Sequence, residues 1–229
     1  MTFNIFDNYH NENTLFKKIK YLLISLFFIY IGIALSAIII ACIDYFIVNI
    51  LHYQSVKELF NKSTRMVNKR NVYYVILIGP FVEELLFRLV LNINKLNISI
   101  FLVLFCYAIL GGKIESFDFI NMFSYFKLLS SILVGAIVYL FIKKYNFEKL
   151  KEHKKIIIWF SIFAFGLFHL INISKVGQMY WQLSLLYPFY ILPYFIIGYF
   201  ITNLRLKYGF FWGCLLHVAL NSIATLLMH

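Results

Sequence analysis

Three short stretches of this chain carry residues able to move protons or hold charge, and each lies inside an apolar run. The first reads Gly79-Pro80-Phe81-Val82-Glu83-Glu84-Leu85-Leu86-Phe87-Arg88. A carboxylate or guanidinium in the middle of a hydrocarbon crossing costs at least about 2.5–3.5 kcal/mol on insertion scales, so something must compensate. Glu84 and Arg88 stand four apart, on one helix face and in the order that favours an ion pair. That pairing neutralises Arg88 and sets Glu83, about 100° around the helix, as the acid left for chemistry. Pro80, about one turn earlier, frees a backbone carbonyl and can bend the helix where the site begins.

The second stretch is Phe165-Gly166-Leu167-Phe168-His169. Phe165 and His169 share a face, and Gly166 would admit a neighbouring helix closely. A lone intramembrane His is as often hydrogen-bonded to a carbonyl as it is reactive. The third runs from Gly209 to Asn221 and places His217 and Asn221 four apart on one face. Gly209 and Gly213 form a small-xxx-small pair suited to tight helix packing. At about 1.5 Å per residue, Glu83, His217 and Asn221 fall in the middle third of their spans, with His169 nearer one end.

Two chemistries fit a Glu, two His and an Asn converging in a partly wet pocket. In one, Glu83 is a general base that deprotonates water while His169 holds that water; burial raises a carboxylate's basicity toward neutral pH. His217 and Asn221 then donate to the oxyanion of a tetrahedral intermediate. In the other, Glu83, His169 and His217 bind a zinc-like divalent metal that activates the water. The H-E-x-x-H spacing of zinc proteases is absent, which favours the first, and the first requires no cofactor.

Composition dictates what must position these groups. Of 229 residues 62% are hydrophobic and only 14% charged, whereas a soluble domain carries about 25% charged residues. Lipid is therefore the expected solvent. The net charge of +11 reads as snorkelling flanks of apolar runs and not as a nucleic-acid surface. Cys42, Cys106 and Cys214 all fall in apolar runs, so they read as small apolar residues and not as a disulfide framework. Lys17, Lys18 and Lys20 followed by Ala34-Leu35-Ser36 imitate a signal peptide. The apolar character nevertheless persists over 21–51, far beyond an h-region of about 7–15 residues, and predicts an uncleaved first span.

The expected architecture is all-α: a polytopic transmembrane helical bundle of about seven spans, six to eight being compatible with the pattern. A polar tail covers 1–20 and a single domain covers 21–229. The spans are 21–51, 72–91, a short 96–110, 123–142, 156–173, 180–204 and 209–228. A basic stretch, 52–70, has the pattern of a surface amphipathic helix. Six lysines in 143–155 place that loop in the cytoplasm, together with Arg205 and Lys207. The same count leaves 52–70 outside, against the rule. No internal repeat is visible.

The three stretches resemble the motifs of the CAAX-protease and bacteriocin-processing family of intramembrane endopeptidases, also called type II CAAX prenyl endopeptidases. Its motifs E-E-x-x-x-R, F-x-x-x-H and H-x-x-x-N/D stand here, in order, as Glu83–Arg88, Phe165–His169 and His217–Asn221. The resemblance covers roughly 79–221. It implies Glu83 as catalytic base, His169 as its partner on the water, His217 and Asn221 as the oxyanion side, and Glu84, Arg88 and Phe165 in support. About 80 residues separate the first two motifs, longer than in compact members, so 96–142 reads as an inserted helical pair.

The composition, rich in Ile, Asn, Lys, Phe and Tyr, points to an AT-rich bacterial genome and hence to a bacterial cytoplasmic membrane. The expected partners are the bilayer and a peptide or protein entering from the membrane, with peptide maturation or bacteriocin self-immunity as the roles the family implies. The competing expectation is a non-enzymatic transporter or ion-binding scaffold, because intramembrane Glu and His also build proton relays. The absence of a transporter-like repeat weighs against it.

Overall fold

The computed structural model describes residues 14–59, 61, 71–110, 121–141, 149–174 and 180–228, and every regular element among them is helical. Most of the basic 52–70 stretch and half of the 143–155 loop lie outside the described residues. Among the described residues, three helices are long and apolar enough to cross a membrane: Leu15–Asn49, Met122–Phe141 and Phe210–Leu227. The chain gathers into two compact units, Met1–Phe81 with Ile162–His229, and Val82–Ser161.

The first unit is built on α1 (Leu15–Asn49), a 35-residue helix about 50 Å long at 1.5 Å per residue. Against it pack α7 (Leu192–Tyr208) and α8 (Phe210–Met228). Tyr21, Leu22 and Ile29 of α1 meet Ile201, Leu204, Leu216 and Leu220 in one buried cluster. A Cβ on Gly32 would lie 2.9 Å from the Ile196 side chain, so the glycine is what lets α1 and α7 approach. The polar groups of this core are paired, Tyr21 Oη donating to the buried Asn203 Oδ1.

Asp44, a carboxylate inside the first apolar run, is held by three donors. Ser55 Oγ (2.7 Å), the Lys57 backbone N–H (3.0 Å) and Tyr190 Oη (3.0 Å) all converge on it. Ser55 in turn accepts from the Glu58 N–H, capping the short helical segment 56–59, whose Val56 and Leu59 are buried.

Two expected spans are not uniform helices. Over 72–91 the winding changes twice, through a π-helix at Tyr74–Ile78, then α2 (Gly79–Arg88), then a 3-10 turn at Leu89–Leu91. The expected span at 180–204 is broken into a 3-10 turn at Trp181–Leu183, the short α6 (Tyr187–Tyr190) and α7. Pro188 and Pro193 explain the breaks: each sits at the start of a helix, where its missing N–H costs nothing and its ring blocks the turn before. Gly209 likewise is not a packing residue. It separates α7 from α8 at φ +98 with nothing within 4 Å of where a Cβ would stand, a backbone region open to glycine.

The second unit centres on α3 (Lys95–Ile109) and α4 (Met122–Phe141), which pack on each other as the helical pair read from the sequence. Asn94 caps α3 by accepting from the Asn97 N–H at 2.8 Å. Gly135 lies where a Cβ would collide with Val103, so α4 rests on α3 at that point. Buried Ile93 and Ile98 gather Val90, Leu102, Val138, Leu150 and Ile157 around them. The outward face of α4, from Phe126 through Leu129 and Leu133 to Leu140, is exposed and apolar, as lipid requires and water does not allow. Here α5 (Lys154–Ser174) also begins, its last residue in this unit being Ser161.

Candidate functional site

The acid-bearing segment belongs to α2. Glu84 and Arg88 are completely buried and form the expected ion pair one helical turn apart. Glu83 is partly buried on the same helix. Near the end of α2 the Phe87 carbonyl accepts from Ser161 Oγ at 2.7 Å.

The imidazoles lie in the other unit, and there the structure brings three of the expected residues together. Phe165 is buried on α5, and its ring meets both histidines edge-on: His169 with centroids 4.9 Å apart and His217 of α8 at 5.7 Å. His169 Nδ1 is 2.8 Å from the Phe165 carbonyl oxygen. A carbonyl only accepts, so Nδ1 carries the hydrogen and, in the neutral ring, Nε2 carries the lone pair. His169 is thus set to act through Nε2. His217 is nearly fully buried.

One residue in this cluster escapes a reading of the sequence. Tyr194, in the first turn of α7, stacks on the His169 ring with centroids 3.8 Å apart and planes 21° from parallel. Beside it, Phe195 covers Gly166, where a Cβ would run into its ring; the expected close approach at Gly166 is therefore made by α7. A proline that restarts a helix was the available signal: Pro193 fixes where α7 begins and so where Tyr194 falls.

Asn221 is tied to the backbone. Its Nδ2 donates to the Val75 carbonyl at 2.9 Å. That carbonyl needs an outside donor. In α winding it would accept from Gly79, but the Gly79 N–H bonds Tyr74 instead. In π winding the donor would be residue 80, which is proline and has no N–H. The carbonyl that a proline at this place was expected to free is thus identified as that of Val75, and Asn221 satisfies it. An amide nitrogen has two hydrogens, so the second is chemically able to serve an oxyanion.

Among the described residues there is no group of three or more His, Cys, Asp and Glu side chains placed to hold a metal ion. Residues 153–229, which supply both imidazoles, contain no Asp or Glu.

The model of the family described as Type II CAAX prenyl endopeptidase Rce1-like matches residues 70–223 of the chain, a stretch that holds all three motifs. The chain belongs to that family. As a type II CAAX prenyl endopeptidase relative with three helices fit to span a bilayer, it is a membrane protein of a protease family. No curated protein and no solved structure matches it.

Proposed function

We propose that this protein is a multi-pass intramembrane endopeptidase of the bacterial cytoplasmic membrane, hydrolysing a peptide bond in a membrane-embedded or secreted peptide or protein. Glu83 takes a proton from a water molecule as that water attacks the scissile carbonyl. His169, through Nε2, orients the water. His217 and one N–H of Asn221 donate to the oxygen on which negative charge develops. Glu83 then passes its proton to the leaving amine, and the carbonyl re-forms. Glu84 and Arg88 keep α2 intact, and Phe165 holds the two imidazoles on one ring. Maturation of a peptide or self-immunity to a bacteriocin are the roles this chemistry would serve.

The observation that carries the reading is the family match across all three motif stretches. The tautomer logic at His169 supports it independently, since it sets one ring nitrogen for chemistry. A metal-activated water remains the competing hydrolytic route, distinguished by whether a chelator stops turnover.

Comparing secreted and membrane peptides from cells carrying wild type or Glu83→Gln tests the proposal. At least one peptide should mature only with wild type, its processing falling by on the order of a hundredfold in the variant. Unchanged peptides, with Glu83→Gln as abundant in the membrane as wild type, would overturn it. Loss of solute or proton flux without any peptide change would favour the transporter reading.

A further inference from the structure

The rings around His169 are arranged in a way the hydrolytic reading does not by itself require. Its Nδ1 is hydrogen-bonded to the Phe165 carbonyl, which fixes one nitrogen in space but leaves the imidazole able to swing about that bond. The Phe165 ring touches it edge-on, which constrains the swing weakly. The Tyr194 ring lies flat on it at 3.8 Å. A flat stack at this distance opposes any rotation that would tilt the imidazole out of plane.

Three features of the sequence then hold Tyr194 itself. Pro193 starts α7, and the Tyr194 N–H closes its first turn on the Ile191 carbonyl at 3.0 Å. Ile191 is fully buried, so that turn cannot drift. Phe195, the next residue, is seated on Gly166, three residues before His169 on α5.

From this geometry we infer that Tyr194 is a positioning residue: its ring fixes the plane of His169 and thereby the direction in which Nε2 points. The inference rests on the hydrolytic reading for its consequence, though not for its geometry. The aromatic face is the working part, and the phenol oxygen is not. An imidazole released from the stack would turn about its Cβ–Cγ bond, which takes Nδ1 off the Phe165 carbonyl, lets the proton reside on either nitrogen and leaves Nε2 aimed correctly for only part of the time.

Two readouts separate this proposal from the proposed activity. Full-length protein labelled with ¹⁵N-histidine, in detergent micelles, reports the tautomer of His169, assigned by difference from His169→Gln. Wild type should show a single Nδ1–H tautomer. Tyr194→Leu should show a mixture of tautomers, and Tyr194→Phe should return to the wild-type pattern. Should Tyr194→Leu fold poorly, Tyr194→Met keeps the bulk without a stacking face and should show the same mixture.

The second readout is hydrolysis of an internally quenched peptide with a prenylated CAAX terminus, the substrate type that names the family. Tyr194→Leu should lower kcat on the order of ten- to a hundredfold with KM little changed, and Tyr194→Phe should restore it. A Tyr194→Leu protein whose His169 resonances are those of wild type overturns the inference, whatever the kinetics. Wild type that cleaves neither this probe nor any peptide in the comparison with Glu83→Gln overturns the endopeptidase reading, while the resonances still decide what Tyr194 does.

Discussion

Helix α2 and the imidazole-bearing helices α5 and α8 hold their polar side chains in different ways. On α2 the expensive charges are paired within one helix, Glu84 with Arg88 across a single turn. On α5 and α8 the polar groups depend on partners distant in sequence: His217 on Phe165, His169 on Tyr194, and Asn221 on the Val75 carbonyl. A charged pair inside a helix forms as soon as the helix does and needs no tertiary structure to be geometrically correct. An imidazole that must keep one nitrogen aimed needs several helices to agree. The charge pairing seen on α2 comes from one turn away, whereas the direction of the imidazoles comes from other helices.

The comparison can be broken most directly at Arg88. Arg88→Ala leaves the buried Glu84 carboxylate without its counter-charge and should destabilise the fold by about 3–5 kcal/mol. Thermal unfolding in detergent, with the yield of monodisperse protein, measures it. Replacing both, Glu84→Leu with Arg88→Leu, should recover most of that loss, since removing a buried pair together costs far less than orphaning one member. A double variant as unstable as Arg88→Ala would mean that the pair is not self-contained.

The same contrast explains what could be read from the sequence. The all-helical character, the Glu84–Arg88 pair and the role of Gly166 follow from composition or from spacings within one element, and the α3–α4 pair from the length of chain between the first two motifs. Tyr194 did not emerge, because an aromatic in an apolar run is indistinguishable from core until the neighbouring helix is placed. The break at 180–204 was nevertheless written in Pro188 and Pro193, and hydropathy alone obscured it. Asp44 was hidden similarly, as one acid in a long apolar stretch whose three donors come from 55–57 and 190. Gly209 shows that a small-xxx-small spacing does not say which property of glycine is used. Here it is the positive φ.

A smaller effect tests the global half of the comparison. Asn221→Ala strips the Val75 carbonyl of its donor and should cost about 1–3 kcal/mol. If the orphan arises because residue 80 lacks an N–H, then Pro80→Ala should relieve it. In a Pro80→Ala background the penalty of Asn221→Ala should shrink by about 1 kcal/mol or more, which a double-mutant cycle reads directly. Equal penalties in both backgrounds would show that the side chain is held for another reason.

The smallest effect probes a long-range tie at the end of α2. Ser161 Oγ supplies a donor to the Phe87 carbonyl, and Ser161→Ala should cost about 1 kcal/mol, the net worth of an ordinary hydrogen bond. Ser161→Thr, which keeps the hydroxyl, should stay closer to wild type by the same unfolding measurement. The ratio to Arg88→Ala matters more than either value. If Ser161→Ala approached the Arg88→Ala loss, α2 would owe its integrity to its neighbour in the fold and not to its own ion pair. A several-fold smaller loss means that Glu83 is presented by a helix whose buried Glu84–Arg88 pair outweighs this tie to its neighbour.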